Sequence, residues 1–463
     1  MMAPRVGEHH LGPLRSYSCS SAIPTDVWEE IFIHCLPLLE DPRFLPTDNT
    51  LFTPHVAPLL ICQVCREWRQ LAISLPRLWS FLKVVVSLGE SHPPIGVITL
   101  WLKRSGTVPL ALSLFQTNES EGNQVTTGTV LEIFKHYIHR WQHVRLDLAS
   151  SLRHDRLRPH KRKAPLLEQL HMRYQRPEET TGSDPLEMFE EFPRLSTLSL
   201  PSITPIRFLA DLGLTVPWNQ LTYISIGHEV SVGKVLLLLT KCHTLKNCKF
   251  DVESIPDTGP RSMITHASLQ SLELTSGPQG LADFLRMTTF PALNNIVVYE
   301  KGSPAELLAW PQEELNMFLE RSATRLHHLG LHNTCIRSTH FIDLLRNPSL
   351  QTLTELVVVD NTDWIYSPCL SFSAMEMLTF GEHYNLLPAL QCLRISGLGC
   401  LWSVDSKALV DMAESRCRRY EASAAARLRI LQVQISLSEF PADYRRLKQL
   451  QKEGLDLEVN TSF

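Results

Sequence analysis

Leu221-Thr222-Tyr223-Ile224-Ser225-Ile226 returns as Leu245-Lys246-Asn247-Cys248-Lys249-Phe250, then as Leu269-Gln270-Ser271-Leu272-Glu273-Leu274 and Leu293-Asn294-Asn295-Ile296-Val297-Val298, with a step of 24 residues each time. The last three positions of each copy alternate in the period of a β-strand, so the fourth and sixth residues point into a core and the fifth points away from it. One such strand cannot bury its own apolar edge. A fixed step of this size therefore predicts a stacked array, each unit a short strand plus a return segment. Leu195-x-x-Leu198-x-Leu200 is an earlier copy, and later copies begin at Leu326, Leu353, Leu390 and Leu428. Weaker copies are read from Leu166 and His143, and the step stretches to 38 residues between Leu390 and Leu428.

Between the strands the apolar spacing predicts helices over residues 207–212, 232–241, 279–287, 305–321, 339–346 and 406–419, the fourth broken or kinked at Pro311. The fold class expected is α/β: a small helical module at the N-terminal side, then an irregular solenoid with a parallel sheet. Four regions follow from the pattern: a polar segment over 1–21 expected to be disordered, a helical module over 22–82, a linker or first repeats over 83–142, and the repeat array over 143–463. Within the third, a strand is expected over 82–88, a short helix over 98–104 ended by Gly106, and a strand over 108–115.

The helical module rests on two pieces. Residues 59–79 place Ile61, Val64, Cys65, Trp68, Leu71, Ala72 and Leu75 at steps of three and four, which predicts one amphipathic helix of about four turns. Upstream, Ile23-Pro24-Thr25-Asp26-Val27-Trp28-Glu29-Glu30-Ile31-Phe32 opens with proline and threonine and carries early carboxylates, the composition of a helix start. Val27 and Ile31 stack at a spacing of four, as do Trp28 and Phe32. Five prolines between residues 37 and 58 read as an irregular insertion between the two pieces.

Together the two pieces resemble the F-box motif. Ile23-Pro24 stands for its Leu-Pro, Asp26 for its acidic position, Val64-Cys65-Arg66-Glu67-Trp68 for its Val-Cys-x-x-Trp, and Pro76-Arg77-Leu78-Trp79 for its closing Pro-x-Leu-Trp. The phrase running from Trp101 to Leu110 resembles, more loosely, a linker of the large fungal family of F-box proteins. The strand–helix array resembles the leucine-rich repeat. It departs from that family where an Asn or Cys should follow the strand: Gly277, Glu253 and Lys301 stand there, and Asn361 alone conforms.

The resemblance implies the substrate-recognition subunit of an SCF-type (cullin–RING) ubiquitin ligase. Ile23, Pro24, Val27, Ile31, Ile61, Val64, Cys65 and Trp68 would form or support the surface that docks on the Skp-type adaptor, and Trp79 would pack the module onto the first repeat. The repeat domain would bind an unknown target protein, and catalysis would lie in other subunits, so no enzyme activity is expected of this chain. The alternative is a leucine-rich-repeat scaffold that binds protein outside any ligase. For target binding, the strand face suggests Tyr223, Tyr299, His328, His332, Arg394 and Gln432, side chains that flank or lie between the inward positions.

Other chemistry finds little support. The chain has 463 residues, 44% of them hydrophobic, and a formal net charge of -4, which gives no argument for nucleic acid or membrane as partner. Its 11 cysteines are scattered and odd in number, and Cys62, Cys65 and Cys392 fall on apolar faces, so buried reduced thiols of a cytoplasmic or nuclear protein are expected. No apolar leader occurs in residues 1–22. Gly227–Lys234 has its glycines one residue too far apart for a phosphate loop, and Val235 stands where Ser or Thr should bind magnesium. Cys62-x-x-Cys65 lacks a second ligand pair for zinc. His136, His139 and His143 are read on one face of a helix over 135–144, without a carboxylate to complete a metal site. The basic run over 153–163 fits either a charged loop or an import or acidic-ligand patch. Neither a cofactor nor a metal is expected.

Overall fold

A computed structural model of the chain describes residues 23–36, 55–118, 120–148, 162–174, 189–201, 216–254, 262–301, 310–334, 336–359, 370–381, 386–397, 405–418, 425–434 and 441–460. The expected disordered lead, residues 37–54 of the insertion, the helix over 207–212, residues 153–161 of the basic run and Asn361 lie outside them. The chain divides into two compact units, Met1–Arg145 and Leu146–Phe463.

In the first unit, helices α1 (Thr25–His34), α2 (Ile61–Val64) and α3 (Arg66–Ser74) precede a 3-10 turn over Pro76–Trp79. The four-turn helix expected over 61–75 is broken. Cys65 is extended at φ -155° and ψ 173°, and its sulfur accepts the backbone N–H of Trp68, capping α3. Arg69 Nε donates to the Cys62 carbonyl at 2.7 Å and holds the two short helices together. A residue whose side chain satisfies one of a helix's orphan donors favours a start over a continuation, and the apolar spacing runs on across the break unchanged.

Strands β1 (Phe81–Ser87), β2 (Glu90–His92), β3 (Leu110–Gln116) and β4 (Trp141–Leu148) follow, with α4 (Ile95–Arg104) and α5 (Glu121–Lys135) between them. The strand order is β2-β1-β3-β4, β4 running across the boundary of the units. Leu82 and Val84 face Leu112 and Leu114 in parallel register, all buried. Strand and helix thus already alternate here. Trp79 is 1% exposed; its indole donates to the Ala72 carbonyl of α3 and meets Trp101 of α4 edge-on, centroids 4.8 Å apart. The helix expected over 135–144 does not exist. Helix α5 ends at Lys135, a 3-10 turn takes Ile138–Arg140, and β4 begins at Trp141, so His136, His139 and His143 share no face.

The second unit is a mixed α/β array on a large parallel sheet. Its main strands are β6 (Gln169–Tyr174), β8 (Thr197–Leu200), β9 (Tyr223–Ser231), β10 (Asn247–Glu253), β12 (Ser271–Ser276), β14 (Asn295–Glu300), β15 (His328–His332), β16 (Glu355–Val359), β17 (Cys392–Ser396), β18 (Ile430–Gln434) and β19 (Asp456–Asn460), adjacent in that order. Short pairs join β5 (Arg162–Lys163) to β7 (Phe189–Glu191) and β11 (Ile264–Thr265) to β13 (Thr288–Thr289). The return segments carry α6 (Val232–Lys241), α7 (Pro278–Met287), α8 (Gln312–Ser322), α9 (Ser338–Leu345), α10 (Phe372–Leu378), α11 (Ser406–Arg418) and α12 (Pro441–Lys452). Helix α8 starts after Pro311, the position no helix interior tolerates.

The first leucine of each clear copy is buried, and several strands are entered through a turn: the N–H groups of Leu221, Leu245 and Leu293 bond to the carbonyls of Trp218, Cys242 and Phe290, whereas that of Leu326 reaches the Ser349 carbonyl. The core pairs then stack in register, Ile224 on Cys248, Leu272 and Ile296, and Ile226 on Phe250, Leu274 and Val298. One frame read from sequence is shifted by a residue: Leu167, Leu170 and Met172 are the buried set in place of a frame starting at Leu166. In β4 the core pair of the copy read from His143, Leu146 and Leu148, is buried together with Trp141 and Val144, while His143 itself is half-buried. A further strand, β19, follows the last expected copy; Leu457 and Val459 sit opposite Leu431 and Val433.

Candidate interaction surfaces

In the first unit, α1 buries one face and exposes another. Trp28 and Phe32 are buried, and both rings contact Trp68 of α3, centroids 5.2 and 5.0 Å away. Arg77 Nη1 ties the C-terminal side of the module to Glu30 at 2.9 Å. The other face carries Val27 and Ile31, 44% and 40% exposed, while α2 and its lead-in expose Leu60 and Val64 at 45% and 57%. Pro24 and Cys65 are also exposed and Ile23 is half-buried, whereas Ile61 is buried and Trp68 half-buried with its ring in the aromatic cluster. The eight residues singled out from the motif thus fall into a structural set, Ile61 and Trp68, and an accessible set. The sequence reading missed Leu60 and the exposed Ile73; their apolar type at positions off the motif was the available signal.

The thiols divide in a way the sequence did not suggest. Cys65 is exposed and Cys62 only partly buried, contrary to the expected burial of both. Cys242 and Cys392 are buried, and burial pushes their thiols up to about 12 and about 11. Among the described residues no cluster of His, Cys, Asp and Glu could hold a metal ion.

In the second unit, the residues between the inward pairs form rows across the sheet face opposite the core. One row runs Lys249, Glu273, Val297, Gly330, Val357, Arg394, Gln432, Glu458. Lys249 Nζ pairs with Glu273 at 2.9 Å and lies 5.1 Å from the centre of the Tyr299 ring. Tyr299 stacks on His332 of the next strand, centroids 4.3 Å apart and planes 25° from parallel. Burial and the neighbouring His328 charge hold the His332 imidazole below its ordinary value. Glu355 accepts from His328 Nδ1 at 3.0 Å and from Arg394. Burial alone would raise this carboxyl, but those two partners bring it below the usual range. Gln432 Nε2 donates to Glu458. Tyr223 opens the neighbouring row, opposite Asn247.

The six residues named from sequence all lie on this face, spread over β9 to β18. Those brought together are Tyr299 with His332, and His328 with Arg394 through Glu355. The sequence reading overlooked Glu355 as the shared acceptor and Val297 and Val357 as outward apolar positions, although the central place in each Leu-x-Leu marks the valines.

At the other end of the sheet, Ser199 Oγ lies 3.0 Å from His171 Nδ1, and His171 Nε2 lies 3.3 Å from a carboxylate oxygen of Asp147. These three residue types suit nucleophilic catalysis. Here Ser199 is 4% exposed and sits within a strand whose neighbours on both sides are paired in register. The line acts as a polar tie across strands.

No family model matches the chain, and no curated protein matches it. Among solved structures, a crystal structure of a Bacteroides fragilis protein aligns with 73% of this chain and 82% of its own, at 14% identity and a TM-score of 0.34. Likeness of that degree informs neither the fold nor the activity. Among the described residues no helix is long and apolar enough to cross a membrane.

Proposed function

We propose that this chain is the substrate-recognition subunit of an SCF-type ubiquitin ligase, with an F-box module that docks on a Skp-type adaptor and a leucine-rich-repeat-like array that holds the target protein. The observation that carries this reading is the division of the N-terminal apolar residues. Trp28, Phe32 and Trp68 close a small aromatic core, which leaves Val27, Ile31, Leu60 and Val64 exposed on the same short module. Solvent-facing apolar residues gathered on one small helical unit favour association with a partner. Nothing in this role asks the chain for chemistry: it raises the effective concentration of a target lysine near a charged ubiquitin carrier.

Co-expression with a Skp-type adaptor tests the proposal. The wild-type chain should co-purify with it, and Val27→Lys combined with Val64→Lys should abolish co-purification while leaving the circular-dichroism melt in place. No co-purification of the wild type, or undiminished binding by the double variant, would overturn it and leave the array as a protein-binding scaffold outside any ligase.

A further inference from the structure

The face of the sheet opposite the core is polar along most of its rows, and at β14–β16 it is not. Val297, Gly330 and Val357 are in direct register there, and Val359 faces His332 one step on. Strands lie about 4.8 Å apart, so Val297 and Val357 flank a strip about 10 Å wide. Gly330 shapes it: a Cβ at this position would stand 2.9 Å from a Val297 methyl and 3.4 Å from His332 Nε2. A side chain here would press on both; with glycine, Val297 packs over the central strand and is itself only 7% exposed, so the open part of the pad is the half-buried Val357 and Val359, edged by the stacked rings of Tyr299 and His332.

The charge of the face as a whole has one sign in excess. The same face carries Glu229, Asp251, Glu273, Glu355, Asp456 and Glu458 against Lys249, Lys301 and Arg394. Lys249 is paired with Glu273, Arg394 with Glu355, and Lys301 with both Asp251 and Glu229, so the excess negative charge lies in the Lys301 cluster and on β19 at Asp456 and Glu458. An approaching acidic segment would meet net repulsion, and a basic one net attraction.

We infer that this pad seats one apolar side chain of a positively charged segment of a partner protein, on Val357 and Val359 beside Tyr299 and His332. The inference rests on the protein-recognition reading above and adds the chemistry of what is recognised.

The test is selection of a random 12-residue peptide display library on the immobilised 463-residue chain, followed by fluorescence anisotropy with the enriched peptides. Enriched sequences should place Leu, Phe or Trp beside Lys or Arg. Their affinity should fall at least tenfold when the basic residues become Glu, and should fall as salt is raised. Val357→Lys, an outward position, should weaken binding at least tenfold with no change in the thermal midpoint. Enrichment of acidic or wholly polar peptides, no enrichment at all, or binding unaffected by Val357→Lys would overturn it. If that variant does not fold, the charge-swapped peptides on the wild-type chain decide the matter alone. Adaptor co-purification is measured on the same preparation, so failure of the pad and failure of the ligase reading are told apart.

Discussion

The indole of Trp68 meets that of Trp28 nearly edge-on, ring centroids 5.2 Å apart and planes at 63°, and this contact joins α3 to α1. Tilted aromatic pairs favour this arrangement. It makes Trp68 a structural residue of the N-terminal module, while Val64, four residues earlier and just before the break at Cys65, faces solvent.

Trp68→Ala should therefore destabilise the first unit by about 2 kcal/mol, less than the ~3–5 kcal/mol of a fully buried ring because Trp68 is half-buried. Val64→Lys should change stability by about 0.5 kcal/mol or less, as exposed substitutions do. Hydrogen exchange over residues 25–34, followed by mass spectrometry, reads the difference: fast exchange in the first variant and native protection in the second.

Glu355 gives the second unit an acid sensitivity. Its folded-state value lies below the ordinary 4.5, held there against burial by His328 and Arg394. The stability it contributes is complete above the ordinary value and is lost as pH falls through the lower one. Glu355→Gln should therefore have a lower urea midpoint than wild type at neutral pH, and its midpoint should fall less than that of wild type when the pH is taken below 4.5. Equal losses in the two proteins would remove this account.

Arg416 is fully buried and donates to the carbonyls of Leu378, Leu386 and Leu387, with its guanidinium 4.2 Å from the centre of the Phe380 ring. Burial pushes it down to about 9. Its planar fork serves three acceptors at once, a pattern lysine cannot copy. Arg416→Lys should lower the urea midpoint, since each carbonyl left without a donor costs about 1–3 kcal/mol. A midpoint unchanged from wild type would show that water replaces the guanidinium.

The thiols offer a simple check of burial. Brief alkylation of the native chain should label Cys35 and Cys65 well before Cys242, Cys248, Cys392 and Cys417, since the first two are exposed and the others buried with raised thiol values. Peptide mapping by mass spectrometry resolves the order.

The repeat was legible in the sequence because leucine fills the first position of each clear copy and alternation follows at once. It weakened where another residue takes that place. His143 does so in β4, and Gly454 stands three residues before Leu457, so the last strand escaped notice. Leu166 and Leu167 are adjacent leucines, and only packing tells which is inward. Helix α5 was hidden by its polar first half, Glu121-Gly122-Asn123, whose Asn123 bonds to Gly89 rather than joining an apolar stripe. The break at Cys65 was hidden for a different reason: a single extended residue leaves the apolar spacing intact, and only a backbone angle records it. On the candidate surfaces, residue type pointed to the right face and could not tell that Glu355 would bind two partners together.

Register along the array is kept by inward apolar side chains meeting one another, Cys248 on Leu272 across 24 residues of chain and Leu393 on Leu431 across 38. Length between strands is thus free to vary without putting the ladder out of step. Added sequence in a return segment is the change such an architecture absorbs most easily, whereas removing one residue inside a strand turns every side chain beyond it to the wrong side. Lineages of this chain should differ in the size of their returns and agree in their strands.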